Sequence, residues 1–157
     1  MDDVKERLGD AIGPEALAIP DKISEAAVRQ IVSLARELLT HGVNVIVEGF
    51  FQSDRYSNDF AELASLADSV LIHILAEDSV LKHRYETRAI SEDRHWIHGD
   101  REKLGTLMPR LPSHLAARLH LDIPQITIDT TNRTVDTAGT VLLIRQARRQ
   151  HSQGRSV

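Results

Sequence analysis

Four polar residues, each placed after a short apolar run, have the chemistry to hold an anionic ligand. They are Glu48 after residues 43–47, Arg84 and Arg88 after residues 70–75, and Thr130 after residues 126–129. A carboxylate such as Glu48 suits Mg²⁺ or orients a substrate hydroxyl. Four-residue spacing places Arg84 and Arg88 on one helix face, where guanidinium groups bind phosphate oxygens in pairs. These residue types favour phosphate chemistry.

Other interpretations fit the same segments. Glu86, Glu92 and Asp93 offer ordinary surface salt bridges for the arginines, which add little to stability. The turn after residue 129 also suits a helix cap. His95 and His98, with Asp100 nearby, have the spacing of a helical metal pair. A metal-dependent hydrolase built on these three residues is therefore an alternative, although no thiolate completes a zinc site.

The spacing of apolar residues predicts the helices and strands that position these side chains. Continuous apolar, β-branched runs predict strands at 43–47, 70–75 and 126–129, each buried on both faces. Helical spacing predicts helices at about 24–39, 58–68, 79–90, 113–120 and 135–148, and the first twenty residues read as a short helical turn followed by a loop. Their alternation predicts a layered αβα fold with a mostly parallel sheet. Ligands of such sheets bind beyond the carboxyl ends of the strands.

Composition limits the class of protein. The 157 residues carry a net charge of −4 and contain no cysteine, which excludes disulfides and thiolate metal sites. We expect one domain over residues 1–150 and a disordered tail at 151–157. The chain has neither a membrane-length apolar run nor a signal-like start, so a soluble cytoplasmic location is expected. Between residues 82 and 118, eight basic residues face five acidic ones, which favours a small anionic ligand over nucleic acid or membrane.

In their order and spacing, the segments resemble a known enzyme family. The pieces LLTHGVNVIVEG, LKHRYETR and ITIDTTNRTVDTAGTVLLI, with the opening MDDVKERL, are similar to P-loop small-molecule kinases. The branch is that of chloramphenicol phosphotransferase, gluconate kinase, adenylylsulfate kinase and zeta-toxin-like kinases. The resemblance implies ATP- and Mg²⁺-dependent phosphoryl transfer to a small hydroxylated acceptor.

The resemblance also assigns roles to residues. Asp2 or Asp3, at the acidic end of the family's second strand, would orient the acceptor, and Glu48 would be an acid on the magnesium or substrate side. Arg84, Arg88 and Arg94 would be lid arginines that face the triphosphate. The adenine would lie against the turn of Thr130, Thr131 and Arg133, and Arg55 would contact the acceptor.

One departure from the family is severe. The sequence contains no G-x-x-x-x-G-K-[ST], the loop that holds the phosphates. We expect the chain to correspond to the family's part after the second strand, without the first strand, which would lie between residues 43–48 and 70–75. This departure leaves three possibilities: the chain is the carboxyl-terminal part of a longer kinase, it pairs with a second copy or a partner segment that covers the unpaired edges, or its strands close up in a rearranged, non-catalytic domain. We expect little turnover from this chain alone, and a catalytically silent binding or regulatory domain is the second hypothesis.

Overall fold

A computed structural model describes residues 1–91, 94–107, 118–132 and 134–154. The α-helices and β-strands are, in chain order, α1 (Asp2–Ile12), α2 (Pro20–Thr40), α3 (Ser53–Ser65), β1 (Leu71–Leu75), α4 (Asp78–Ala89), α5 (Asp100–Leu107), β2 (Gln125–Asp129) and α6 (Thr137–Gly154). Short 3₁₀ helices at Pro14–Ala18 and Trp96–His98 lie in the connections before α2 and α5. The chain is thus an α/β protein, as predicted.

The sheet in the described part of the chain is one parallel pair of strands. Leu71 of β1 lies opposite Gln125 of β2, and Leu75 lies opposite Asp129. Two predicted strands and their parallel direction are therefore confirmed. The prediction that both faces are buried is wrong, because Ile74 is 65% exposed. His73, in the middle of β1, is half-buried, and its Nε2 lies 3.1 Å from Gln125 Oε1.

The predicted strand at 43–47 is not formed. Among the described residues no strand pairs with it, and Ile46 is 98% exposed. Val45 and Val47 pack against the hydrophobic core, so only one side of the segment is covered. A β-branched composition favours a strand, but a ladder also needs a neighbouring strand to receive its hydrogen bonds. The mostly parallel sheet of several strands is accordingly reduced to two strands here.

The larger hydrophobic core lies between α2 and α3. Val28, Val32 and Ala35 of α2 recur at helical spacing and meet Phe60 of α3. Phe51 packs against Phe60 with a centroid separation of 4.4 Å and the two rings tilted by 45°. The predicted helices are confirmed with earlier starts, since α2 begins at Pro20 and α3 at Ser53. This core supports the strand β1 through Leu71.

A second, smaller core joins α1 to the segment before α5. Residues 2–12 form a full helix where the sequence predicted only a short turn, so Asp2 and Asp3 lie in a first helical turn and not at a strand end. Gly9 of α1 lies against Ile97, which is 1% exposed. A Cβ on Gly9 would come within 2.8 Å of Ile97 Cγ1. The absent side chain lets α1 and the 95–98 segment approach closely.

The remaining predictions concern the carboxyl-terminal third. α4 confirms the helix predicted at 79–90, and α6 extends the final helix to Gly154, into the segment predicted as a disordered tail. Most of the helix predicted at 113–120 lies outside the described residues. Within the described residues, every helix is too short or too polar to cross a bilayer.

Candidate functional site

Arg94 lies at the centre of a partly buried cluster with two aspartates. Its Nη1 donates to Asp2 Oδ2 at 3.0 Å, and its Nε donates to Asp100 Oδ2 at 2.8 Å. Burial raises the pKa of both carboxyls, but the hydrogen bonds and charge of Arg94 outweigh it, so both pKa values lie below the ordinary 3.8. Both groups are therefore carboxylates at neutral pH, and they neutralise much of the Arg94 charge.

Two side chains of α4, Tyr85 and Arg88, also contact Asp100. The Tyr85 hydroxyl donates to Asp100 Oδ1 at 3.2 Å, and Arg88 Nε lies 3.2 Å from Asp100 Oδ2. The Arg88 guanidinium sits 5.0 Å from the centre of the Tyr85 ring. Burial, together with the charge of Asp100, raises the pKa of Tyr85 to about 12, so the phenol remains a hydrogen-bond donor. Asp100 thereby fixes one side of Arg88 and leaves the guanidinium half exposed.

Carboxylates recur every fourth residue along α1, and each binds the 94–98 segment. The pairs are Asp2 with Arg94, Glu6 with His98 and Asp10 with His95. The spacing stacks the three acids on one helix face. The two histidines proposed as zinc ligands are thus engaged by α1, and the described residues contain no group of three metal-binding side chains. The metal-dependent hydrolase receives no support.

Arg84 connects α4 to the carboxyl ends of both strands. Its Nη1 donates to Thr130 Oγ1 at 3.0 Å, and its Nη2 donates to the Thr130 carbonyl. The Thr130 hydroxyl in turn donates to the Leu75 carbonyl at 2.9 Å. Because β1 and β2 are parallel, their carboxyl ends meet at this point. The structure therefore brings together a predicted lid arginine and a residue of the predicted adenine turn.

Thr131 acts within its own turn. Its amide and hydroxyl both donate to Asp129 Oδ1, at 2.8 and 2.6 Å. Its Oγ1 also accepts from the Glu77 amide at 3.0 Å, just before α4 begins. These contacts hold the turn against α4. Arg133, also predicted to contact adenine, lies outside the described residues.

Glu48 lies at the amino end of α1. The Met1 amino group donates to the Glu48 carbonyl at 3.0 Å and lies 3.7 Å from its carboxylate. The Glu48 side chain is otherwise open, at 85% exposed. Asp2 follows Met1 in the chain, so the two predicted acids lie at the same end of α1. Asp3 is exposed on that first turn.

Arg55 is the predicted residue that lies elsewhere. It lines a cavity of about 460 Å³ with residues of α2 and α3, among them Arg29, Arg36 and Asp59, and none of the other predicted residues lines it. A second cavity, of about 520 Å³, lies beside Arg94 and Asp100. Arg55, which is predicted to contact the acceptor, is thus separated from the cluster of Arg94, Asp2 and Asp100.

Sequence reasoning missed Lys5, Tyr85 and Asp100 as parts of this site. From the sequence, Asp100 is predicted only as a metal ligand. Lys5 is 6% exposed on α1, which the sequence did not predict as a full helix. The sequence does contain one signal for this site, the four-residue spacing of Asp2, Glu6 and Asp10, which places three acids on one helix face. Their partners come from a segment about 90 residues away, which no local pattern indicates.

Comparison with known proteins bears on the fold. No family model and no curated protein matches the chain. A crystal structure of a "putative kinase" from Chloroflexus aurantiacus J-10-fl is similar, with 25% sequence identity and a TM-score of 0.70. The match covers 93% of this chain and 80% of the Chloroflexus chain. The chain therefore has a kinase-like α/β fold, and this coarse part of the sequence resemblance is confirmed.

Proposed function

We propose that this chain belongs to an ATP-dependent phosphotransferase that acts on a small hydroxylated acceptor. One observation carries the proposal: Arg84 on α4 binds Thr130 at the carboxyl ends of the parallel strands, and Arg88 lies four residues further along the same helix. In kinase-like sheets this edge is where ligands bind. Phosphoryl transfer needs positioned positive charge around the phosphate oxygens, and the proposed source is this arginine pair.

The residues present suit ATP and Mg²⁺ in the following way. Within the described residues, Arg88 forms one ion pair, through Nε, so its terminal nitrogens are available to phosphate oxygens. Mg²⁺ in kinases takes one or two carboxylates together with the phosphates of the substrate. Glu48, with its exposed carboxylate, is the proposed protein ligand, and Asp2 is the proposed partner of the acceptor hydroxyl. The nucleotide would supply the phosphoryl group and the metal would neutralise its charge.

Calorimetric titration tests this function. MgATP is titrated into the purified chain, and a panel of sugars, nucleosides and antibiotics is titrated separately. The proposal expects saturable MgATP binding, with slow transfer because the sequence lacks a phosphate loop. Absence of MgATP binding would rule it out, since every proposed role depends on a bound triphosphate.

The second candidate is a catalytically silent kinase-like binding or regulatory domain. It is favoured by the engagement of two lid arginines with internal partners, Arg84 with Thr130 and Arg94 with Asp2 and Asp100. The two carboxylates neutralise Arg94, and Thr130 occupies both terminal nitrogens of Arg84, so both arginines have less to offer a triphosphate. Tight binding of an acceptor without any MgATP affinity would identify this function in the same titrations.

The proposal includes a partner for the free edge of β1. Within the described residues β1 pairs with β2 alone, so the backbone groups of Ile72 and Ile74 that point away from β2 have no strand partner. Ile46 exposes a further apolar side chain in the unpaired segment 43–47. A second copy or a separate strand-bearing segment would satisfy this edge. Light scattering of the purified chain tests self-pairing, which a stable monomer would contradict.

A further inference from the structure

The cavity between α2 and α3 has a polar lining. Its volume of about 460 Å³ is within the range of small-molecule sites, about 300–1,000 Å³. Three arginines, Arg29, Arg36 and Arg55, line it, and Val32 is the single aliphatic residue of the lining within the described part of the chain. An apolar ligand would strip water from these charged groups without replacing it. The lining therefore suits a small polar ligand.

Tyr56 presents a hydroxyl to this cavity. Tyr56 and Val32 line the cavity and also belong to the larger hydrophobic core. Tyr56 is only 9% exposed, and its hydroxyl forms no hydrogen bond within the described residues. Solvent still reaches this hydroxyl, since Arg36 Nε is the one fully buried side-chain polar atom without a partner among those residues. A tyrosine this deeply buried usually has a partner for its hydroxyl, so the Tyr56 hydroxyl is a preorganised donor for a ligand.

Two of the three arginines are paired with carboxylates. Arg29 Nη2 lies 2.7 Å from Glu25 Oε1, and Arg36 Nη2 lies 2.7 Å from Glu62 Oε2. These two ion pairs balance four of the charges around the cavity. The charges that remain for a ligand come from α3.

Arg55 and Asp59 supply one charge of each sign from α3. They are one helical turn apart and both line the cavity. Within the described residues, the Arg55 side chain forms no hydrogen bond or ion pair. Asp59 acts on Arg29 through its charge, again without a hydrogen bond or ion pair. The cavity therefore offers a guanidinium and a carboxylate that a ligand can bind directly.

The charge balance indicates what kind of ligand fits. The three arginines are matched by three carboxylates, namely Glu25 and Asp59 in the lining and Glu62 bound to Arg36. A ligand with a net charge would upset this balance, whereas a zwitterion preserves it. A ligand carboxylate suits Arg55 and an ammonium group suits Asp59, because both contacts are charge-assisted hydrogen bonds.

We propose that this cavity binds a small zwitterion of the amino-acid class. The ligand carboxylate would accept hydrogen bonds from Arg55 and the Tyr56 hydroxyl, and the ligand ammonium group would donate to Asp59. The site goes beyond the proposed phosphotransferase function, since none of the residues proposed to bind MgATP lines this cavity. Arg55, which the sequence resemblance assigns to the acceptor, binds a different ligand here.

An NMR titration with free amino acids tests the site. Each standard L-amino acid is added at millimolar concentration to the unmodified protein. The Arg55 Nε–Hε and Tyr56 ring resonances, assigned with the Arg55→Gln and Tyr56→Phe variants, are followed. At least one amino acid should shift both resonances saturably with the same Kd. The absence of a saturable shift with every amino acid would overturn the proposal.

Two derivatives of the tightest-binding amino acid test the two ligand charges. Its amide lacks the carboxylate, and its N-acetyl form lacks the ammonium group, so each should bind at least about tenfold more weakly. An N-acetyl form that binds as well as the free amino acid would show a site for simple anions. An amide that binds equally well would show a site for simple cations, and either result would overturn the proposal.

Variants of the cavity test the assigned contacts. Arg55→Gln and Asp59→Asn should each weaken binding of the same amino acid by about tenfold, and Tyr56→Phe by about threefold to tenfold. Asp54→Asn is the matched control, because Asp54 is an exposed acid of α3 outside the cavity lining, and it should bind as the unmodified protein does. Equal losses in Asp54→Asn and Asp59→Asn would indicate general electrostatics and overturn the proposal.

The melting temperature separates ligand binding from a structural role. Because the Tyr56 hydroxyl has no partner within the described residues, its removal in Tyr56→Phe should leave the melting temperature unchanged or higher. A lower melting temperature of Tyr56→Phe with unchanged amino-acid affinity would assign the hydroxyl to the fold and overturn its role as a ligand donor.

Discussion

Arg94 Nη1 lies 3.0 Å from Asp2 Oδ2, so a guanidinium predicted to face a triphosphate neutralises a carboxylate predicted to orient the acceptor. The two residues are 92 positions apart in the chain. Their pairing brings the predicted triphosphate contact and the predicted acceptor contact side by side. Asp100, on the other side of Arg94, extends this cluster to Tyr85 and Arg88 on α4.

Arg94→Met should lower the free energy of unfolding by about 3–5 kcal/mol, because it leaves the buried Asp100 carboxylate without its strongest partner. Urea denaturation measures the change. Arg145→Met, at an exposed position of α6, is the control and should change stability by less than about 0.5 kcal/mol. An Arg94 variant as stable as this control would contradict a stabilising role for the cluster.

Protonation of Asp100 should lower the free energy of unfolding of the chain in acid. Its pKa is below the ordinary 3.8 in the folded chain, so the folded state binds this proton less readily than the unfolded state. The contribution of the carboxylate is complete above that ordinary value and is lost as the pH falls through the folded pKa. Urea denaturation from neutral pH down to about pH 3 should show the decline. Asp100→Asn should show a shallower one, and parallel curves would exclude Asp100 as a source.

Arg88→Gln should weaken MgATP binding by about tenfold, since it removes a charged, forked donor of phosphate hydrogen bonds. Its effect on melting temperature should be small, because the Arg88 side chain is 49% exposed and its ion pair is partly solvated. Calorimetry measures the affinity, with Arg145→Gln as the matched control. Equal losses in the two variants would indicate general electrostatics and not a specific contact.

Thr130→Val should destabilise the chain by about 1–2 kcal/mol, because its hydroxyl accepts from Arg84 and donates to the Leu75 carbonyl. Thermal denaturation measures the loss. Thr127→Val provides the comparison: it makes the same substitution at an exposed position of β2 and should be neutral or stabilising. Similar melting temperatures for the two variants would show that the Arg84 link contributes nothing.

Gly9→Ala should cost about 1–3 kcal/mol by overpacking, because its Cβ would lie 2.8 Å from Ile97 Cγ1. Gly105→Ala, in α5, meets no atom within 4 Å and should stabilise by up to about 1 kcal/mol through helix propensity. Denaturation of both variants measures the two changes in the free energy of unfolding. The interpretation of a close α1 contact fails if both substitutions stabilise.

The sequence predicted those features that depend on local pattern. α2, α4 and the two paired strands follow from apolar spacing, and the meeting of Arg84 with Thr130 follows from strands that run parallel. The segment 43–47 has the composition of a strand, but pairing depends on a neighbour, which composition does not encode. The joint binding of Arg94 by Asp2 and Asp100 could not be predicted, because Asp2 reaches Arg94 only when α1 docks on the 94–98 segment.

The parallel pairing of Leu71 with Gln125 has a kinetic consequence. The two strands are separated by more than fifty residues, so the chain must close a long loop before the first ladder hydrogen bond forms. Contacts of such sequence separation slow folding. Helices α1 to α3 can collapse early, whereas the strand tips that carry Thr130 come together late, so the ligand-facing edge is expected to be the last part of the molecule to mature.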